Sequence, residues 1–213
     1  MPKTDVFDKY YKDYDSWFFK NELAYKAELN LIRKLIPKGK GLEIGVGTGR
    51  FAIPFGIKEG VEPSDKMAEI AEEKGISVVK GVAEDLPYDD NSFDFVMLVT
   101  TICFVDDPLK TLKEARRIIK SNGYIIVGFV DRESVIGQEY EKNKDKSKFY
   151  SPAIFYSSRE IADYLKNSGF SEIESYQTIF HPLNEIKEVE PVTKGYGQGA
   201  FIGMRGKKVA LCI

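Results

Sequence analysis

The 213-residue chain predicts an α/β fold of three layers, a mostly parallel sheet with helices on both faces. Three observations predict it. Strand-like and helix-like segments alternate four times in succession, the pattern of consecutive parallel strands joined by crossovers. Residues 93–99, FDFVMLV, form an almost unbroken apolar run, as a central strand buried on both faces requires. The run GLEIGVGTGRFA, 41–52, stops at three alternating glycines, Gly45, Gly47 and Gly49, and reads as strand, tight turn, helix.

In chain order, residues 7–18, FDKYYKDYDSWF, crowd aromatics among charges. Such a segment suits a cover over a ligand, or a helix docking its aromatics on the body. Residues 21–36 place Leu23, Ala24, Ala27, Leu31 and Leu35 at helical period, and Pro37 and Gly39 end the helix. After the glycine turn, Pro54 and Gly56 leave room for only a short helix. Residues 57–61 are a second strand ending at Glu62 and Pro63. Ser64 then caps a helix with Met67, Ala68, Ile70 and Ala71 on its inner face, closed by Gly75.

A third strand, 76–79, leads into the loop GVAEDLP. Asp107-Pro108 starts a helix that ends near Lys120, and Asn122-Gly123 turns the chain into a fifth strand, 124–130. Residues 131–157 are the least regular part, an insert placed to select a substrate. Ser157 and Glu160 form a capping box opening a helix that closes at Gly169. Residues 173–180 and 200–204 read as two strands with no helix between them, hence an antiparallel pair at one edge.

The length suits one domain, 1–213, with an N-terminal helical lid segment, 1–37, and the insert at 131–157. A net charge of −2 gives no basic field for a phosphate backbone, so no nucleic-acid partner is expected. No signal-peptide pattern or membrane-length apolar run is present, which predicts a cytoplasmic protein without a membrane partner, as a monomer or homodimer. Cys103, Cys212 and His181 offer neither a disulfide framework nor a ligand cluster, so no metal is expected.

The carboxyl ends of the first four strands carry the glycine turn, Glu62, Ala83-Glu84 and Thr100-Thr101, which meet along one sheet edge. Glu43, an acid inside the first strand, is costly there unless something uses it. Glu62 is placed to accept hydrogen bonds from both hydroxyls of a ribose. Met67, Val82 and Leu86 could sandwich an adenine while the Ala83 amide and Glu84 or Asp85 read its ring edge. The residues thus specify a nucleoside.

With LEIGVGTG, GVEPS, GVAEDLPYDDNSFDFVML and VDDPLKTLKEARRIIKSNGYIIV in that order, the chain resembles a class I S-adenosylmethionine (SAM)-dependent methyltransferase. It is similar to the small-molecule group that includes quinone-ring C-methylases. The resemblance implies a Rossmann-like, seven-stranded sheet with a reversed C-terminal edge strand, SAM as cofactor and S-adenosylhomocysteine (SAH) as product. It implies that Glu43, Gly45, Gly47 and Gly49 cradle the methionine portion and that Glu62, followed by Pro63 and Met67, holds the ribose side. Ala83 and Glu84 border the adenine, and Val99, Thr100 and Thr101 line the floor beside the sulfonium. Tyr11, Tyr14 and Trp17 match the family's aromatic lead-in over the cofactor. The chain departs from its relatives at Val82, where many carry an acid, and at Cys103 and Phe104, where histidines often stand beside the reacting centre.

Methyl transfer to a small-molecule acceptor by in-line displacement needs alignment and exclusion of water more than an obligatory base. Where deprotonation is needed, Tyr14, Asp106, Asp131 and His181 are the candidates. Cys103 reads as a small buried residue, and Phe104 with Phe149, Tyr150, Phe155 and Tyr156 favours a flat acceptor. Two other readings share the nucleoside site. Gly47, Gly49 and Ala52 also satisfy the G-x-G-x-x-A fingerprint of an NAD-dependent dehydrogenase, and a module that binds SAM without transferring its methyl would show the same motifs.

Overall fold

The computed structural model describes residues 4–209, and Cys212 lies outside them. Helices α1 (Asp5–Lys20) and α2 (Glu22–Leu35) precede β1 (Gly41–Ile44), β2 (Glu59–Glu62), α3 (Asp65–Glu73), β3 (Ser77–Lys80) and β4 (Phe93–Val99). Then come α4 (Pro108–Ile118), β5 (Ile119–Val130), α5 (Val135–Asn143), α6 (Ser158–Asn167), β6 (Phe170–Thr178), β7 (Thr193–Lys194) and β8 (Phe201–Lys208). The sheet runs β3-β2-β1-β4-β5-β8-β6-β7. Its first five strands are mutually parallel, and β8 is antiparallel to both β5 and β6.

Two apolar layers sandwich this sheet. Val96 and Leu98 of β4 join Leu112 and Ala115 of α4 and Ile161 and Leu165 of α6 on one face. Phe95, Met97 and Val99 join Phe18 of α1, Leu31 and Ile32 of α2 and Ala71 of α3 on the other. The alternation is the period-two consequence of a strand buried on both sides. Three caps read from sequence are formed: the side chains of Ser64, Asp107 and Ser157 accept from the amides of Met67, Lys110 and Glu160, and Glu160 completes its box.

Four details differ from the sequence expectation. No α-helix follows the glycine turn; Ile53–Phe55 forms a single 3-10 turn, because Pro54 and the left-handed Gly56 stop propagation within one turn. The sheet has eight strands, β7 being a two-residue addition along β6. The reversed C-terminal strand lies inside the sheet between β5 and β6, not at its edge, so its backbone is paired on both sides. β5 starts at Ile119, with Asn122 at φ 64° inside it beside a register shift, so the Asn-Gly turn is a bulge within the strand. The insert holds α5, started by Ser134, whose side chain accepts from Gly137. α2 lies close on β8, where a Cβ on Gly203 would stand 2.2 Å from a Leu31 methyl. That approach turns α2 into a wall of the space at the sheet edge.

Candidate active site

The loop after β1 opens the site. Gly45 has φ 67°, and a Cβ there would come within 2.5 Å of the Thr101 side chain, so only glycine lets this loop cross the end of β4. Thr101 follows Thr100, itself at φ 53°, whose amide donates to Gly128. Gly49 is not a wall of the cavity; it lies under Ile76 and Ile53.

Glu62 ends β2 and fixes the loop from the side. Its Oε2 accepts from the Gly47 amide at 2.8 Å and its Oε1 from the Ser64 amide at 3.0 Å. Burial pushes its pKa up to about 7 against the pull of those two amides, and the Asp8 carboxylate pushes the same way. A carboxylate has about four acceptor sites, so Glu62 keeps further acceptor capacity beside the cavity it lines.

Glu43 is 2% exposed and does not line that cavity. Burial raises its pKa far above the usual carboxylate range, a hydrogen bond from the Ala52 amide counters this in part, and nearby Glu62 adds to it. Its Oε2 has no partner among the described residues.

The cavity measures about 390 Å³. Pro63, Met67, Ala83, Val99, Thr100 and Thr101 line it with Gly45, Gly47 and Glu62. Glu84 is also a wall, and its Oε1 accepts from the amides of Asp106 and Asp107 at 2.7 and 3.2 Å, tying two edge loops together.

α1 forms one wall of the cavity. Tyr14, Trp17 and Phe7 line it, while Tyr11 does not and sits under the Lys12 ammonium. The helix is held at three carboxylates, of which Asp13 meets Lys148 Nζ of the insert at 2.9 Å. Asp8 accepts from the Ser64 hydroxyl at 2.6 Å. Asp15 accepts from Thr48 Oγ1 and Arg50 Nε at 2.5 and 2.9 Å and meets Lys74 Nζ at 3.0 Å. Burial would raise the Asp15 pKa, but these donors outweigh it and hold the group below the usual range. Replacing Asp15 with alanine is expected to free α1, with about 5- to 100-fold faster proteolytic cleavage inside residues 5–20, as loss of one to two charged hydrogen bonds implies. Mass spectrometry of limited digests measures it, and an unchanged cleavage rate would show that Asp8, Asp13 and the aromatic contacts hold the lid without Asp15.

The insert supplies the opposite wall through Tyr140, Phe149 and Tyr150. Phe149 reaches α1, with ring centroids 5.9 Å from Phe7 and 5.7 Å from Tyr14, and Phe7 meets Phe104 at 5.0 Å. Phe155 lies instead with Cys103 and Ala153 in a small core, and Tyr156 faces the other layer.

The four sequence candidates for a base are not brought together. Tyr14 lines the cavity with its pKa pushed far up, by burial first and then by Glu62 and Glu43. Asp106 lines it too. Asp131 is 1% exposed and outside the cavity, accepting from Ser158 Oγ at 2.6 Å and the Glu133 amide at 2.9 Å. His181 is exposed, outside the cavity, and paired with Glu190 at 2.5 Å.

Sequence reading missed one charged wall. Glu28 on α2 is 7% exposed and lines the cavity. Burial alone pushes its pKa up to about 8. It stands four residues after Ala24 and three before Leu31, so an acid on the apolar face was the available signal. Ile179, Leu183 and Phe201 are walls with no such signal, since they come from after β6 and from β8.

A fold of this topology with an enclosed site at the switch edge is matched by a family model. Residues 42–127 fit the methyltransferase domain, and the chain belongs to the SAM-dependent methyltransferases, class I. The crystal structure of a SAM-dependent methyltransferase, possible histamine N-methyltransferase, from Thermotoga maritima superposes with a TM-score of 0.94 at 54% identity, covering 96% of this chain and 99% of that one. An uncharacterized protein of Methanocaldococcus jannaschii is 48% identical over 205 residues, 96% of this chain and all of its own. The demethylmenaquinone methyltransferase of Bacillus licheniformis is 32% identical over 138 residues, 57% of this chain and 59% of that protein.

Proposed function

We propose that this enzyme transfers the methyl group of SAM to a small-molecule acceptor held inside the cavity. The observation that carries the reading is one cavity with two unlike ends: a glycine loop with Glu62 at the sheet edge, and an aromatic wall from α1 and the insert. A volume of about 390 Å³ lies in the range of small-ligand sites.

The residues fit the cofactor. Glu62 has acceptor capacity left for ribose hydroxyls after serving Gly47 and Ser64. Met67, Val82 and Ala83 give an adenine an apolar slot, and Gly45 and Gly47 leave room for the methionine portion. When bound, SAM supplies a methyl group already activated by its sulfonium, suited to in-line displacement by the acceptor.

The protein's contribution is alignment and dryness. Proximity in well-aligned systems supplies about 7–11 kcal/mol. Phe7, Tyr14 and Phe149 close the space to water, and Thr100 and Thr101 set its floor.

Calorimetric titration of the purified protein with SAM, SAH and NAD tests the reading. SAM and SAH are expected to bind and NAD to give no heat; SAH release then identifies acceptors in a screen. Binding of NAD alone would overturn it.

A further inference from the structure

This inference rests on the methyltransferase reading of the cavity and names the class of acceptor. Glu28 is the one acidic wall contributed by α2, deep among aromatics. No described residue donates a hydrogen bond or supplies a cation to it; burial is the only influence on its ionisation. Four tyrosines from separate segments feel its charge: Tyr14 of α1, Tyr25 of α2, Tyr140 of α5 and Tyr150 of the insert. Tyr25 already spends its hydroxyl on the Arg50 carbonyl.

An acid buried without a partner costs several kcal/mol when ionised. It is tolerated here because the group sits in its acid form near neutrality until something positive arrives. The remaining ionisable walls have the same bias. Glu62, Glu84 and Asp106 also line the cavity, against a single lysine, Lys144. That lysine is committed to Glu141 at 2.9 Å and to the Ala153 carbonyl.

We infer that Glu28 anchors the methyl acceptor and that the acceptor carries a protonated amine, seated on the Glu28 carboxylate among Tyr14, Tyr140 and Tyr150. An ammonium answers the carboxylate by charge and hydrogen bond, and it is attracted to aromatic rings. A neutral quinone fills the aromatic space and leaves Glu28 unanswered. A phenolate or carboxylate acceptor is repelled by each wall acid that is ionised and gains no ion pair at Glu28. Glu28 acts here as a positioning residue; its part is to hold the acceptor's cationic end.

The test uses the full chain saturated with SAH, titrated calorimetrically with 2-phenylethylamine, tryptamine and hexylamine, each against its alcohol, 2-phenylethanol, tryptophol and hexanol. At least one amine is expected to bind about 10- to 100-fold tighter than its alcohol, the scale of one charge-assisted hydrogen bond. Glu28→Gln, an isosteric change, is expected to bring the two within about threefold, while SAH affinity, reporting the fold, stays at the wild-type value. Glu28→Asp keeps a preference of the same sign.

If no amine outbinds its alcohol, or the glutamine variant keeps the full preference, the proposal is overturned and the methyltransferase reading stands. If Glu28→Gln weakens SAM but not SAH, the carboxylate faces the sulfonium and the acceptor role falls. Failure of SAH itself to bind overturns the cofactor reading, and this inference with it.

Discussion

Glu62→Ala lowers the affinity for SAM and SAH alike by about 10- to 100-fold, the loss expected from one to two hydrogen bonds to a buried carboxylate. The reasoning starts from its position. Glu62 ends β2 at the sheet edge, 6% exposed, with one oxygen on Gly47 and the other on Ser64. Truncation removes the acceptor facing the cavity and orphans the Gly47 amide, so the glycine loop loses its lateral support. On the proposed ribose role, the loss is expected to be equal for SAM and SAH, which share the ribose. Calorimetry on both ligands decides it: an unchanged affinity shows that the ribose is held elsewhere, and a loss confined to SAM shows that Glu62 acts on the sulfonium.

The second large effect is on stability. Burial raises the folded-state pKa of Glu28 from 4.5 to about 8 and of Glu62 from 4.5 to about 7, and Glu43 moves in the same direction. A group whose folded pKa lies above its unfolded value favours the folded chain fully below the unfolded pKa. That contribution is lost as pH rises through the folded value. The ligand-free protein is therefore expected to lose on the order of 3 kcal/mol between pH 5 and 8.5 from Glu28 alone, about 6–12 °C of Tm for a chain of this size.

The tyrosines around Glu28 do not offset this. Tyr25 and Tyr140 have pKa values pushed up to about 12, and Tyr14 and Tyr150 are also raised, so all stay neutral over the window. Acids with lowered values, Asp15, Asp94, Glu114 and Glu160, exert their dependence at lower pH. Thermal melts from pH 5 to 8.5 should show a falling Tm, with a shallower fall across about pH 5 to 8 in Glu28→Gln. A flat or rising wild-type profile would mean that the buried acids ionise as freely as in the unfolded chain.

What could be read from sequence was what local chemistry dictates. β4 was legible because six of its seven residues are buried, on both faces, and leave no polar alternation. The α6 start was legible because Ser157 and Glu160 satisfy each other's amides within one turn. The glycine loop and Glu62 were legible because residue type is forced at each successive strand end.

The misses are non-local. β7 exists only because Thr193 and Lys194 lie along Tyr176 and Gln177. The interior place of β8 depends on which edges are open once β5 and β6 are formed, and no period in residues 201–208 encodes that. The turn at Ile53–Phe55 is the local exception: Pro54 and Gly56, read as shortening the helix there, reduce it to one 3-10 turn. Glu28 was hidden because its neighbours across the cavity, Tyr140 and Tyr150, stand more than a hundred positions away in the chain.

The interior position of β8 has a consequence for how the molecule is made. Ala200 and Phe201 share the cavity wall with Thr4 and Phe7, so the binding space is bounded by residues far apart along the chain. A nascent chain that has not yet emerged as far as β8 leaves β5 with an open edge and α2 with nothing to lie on. Cofactor can then stabilise only molecules whose sheet is already closed.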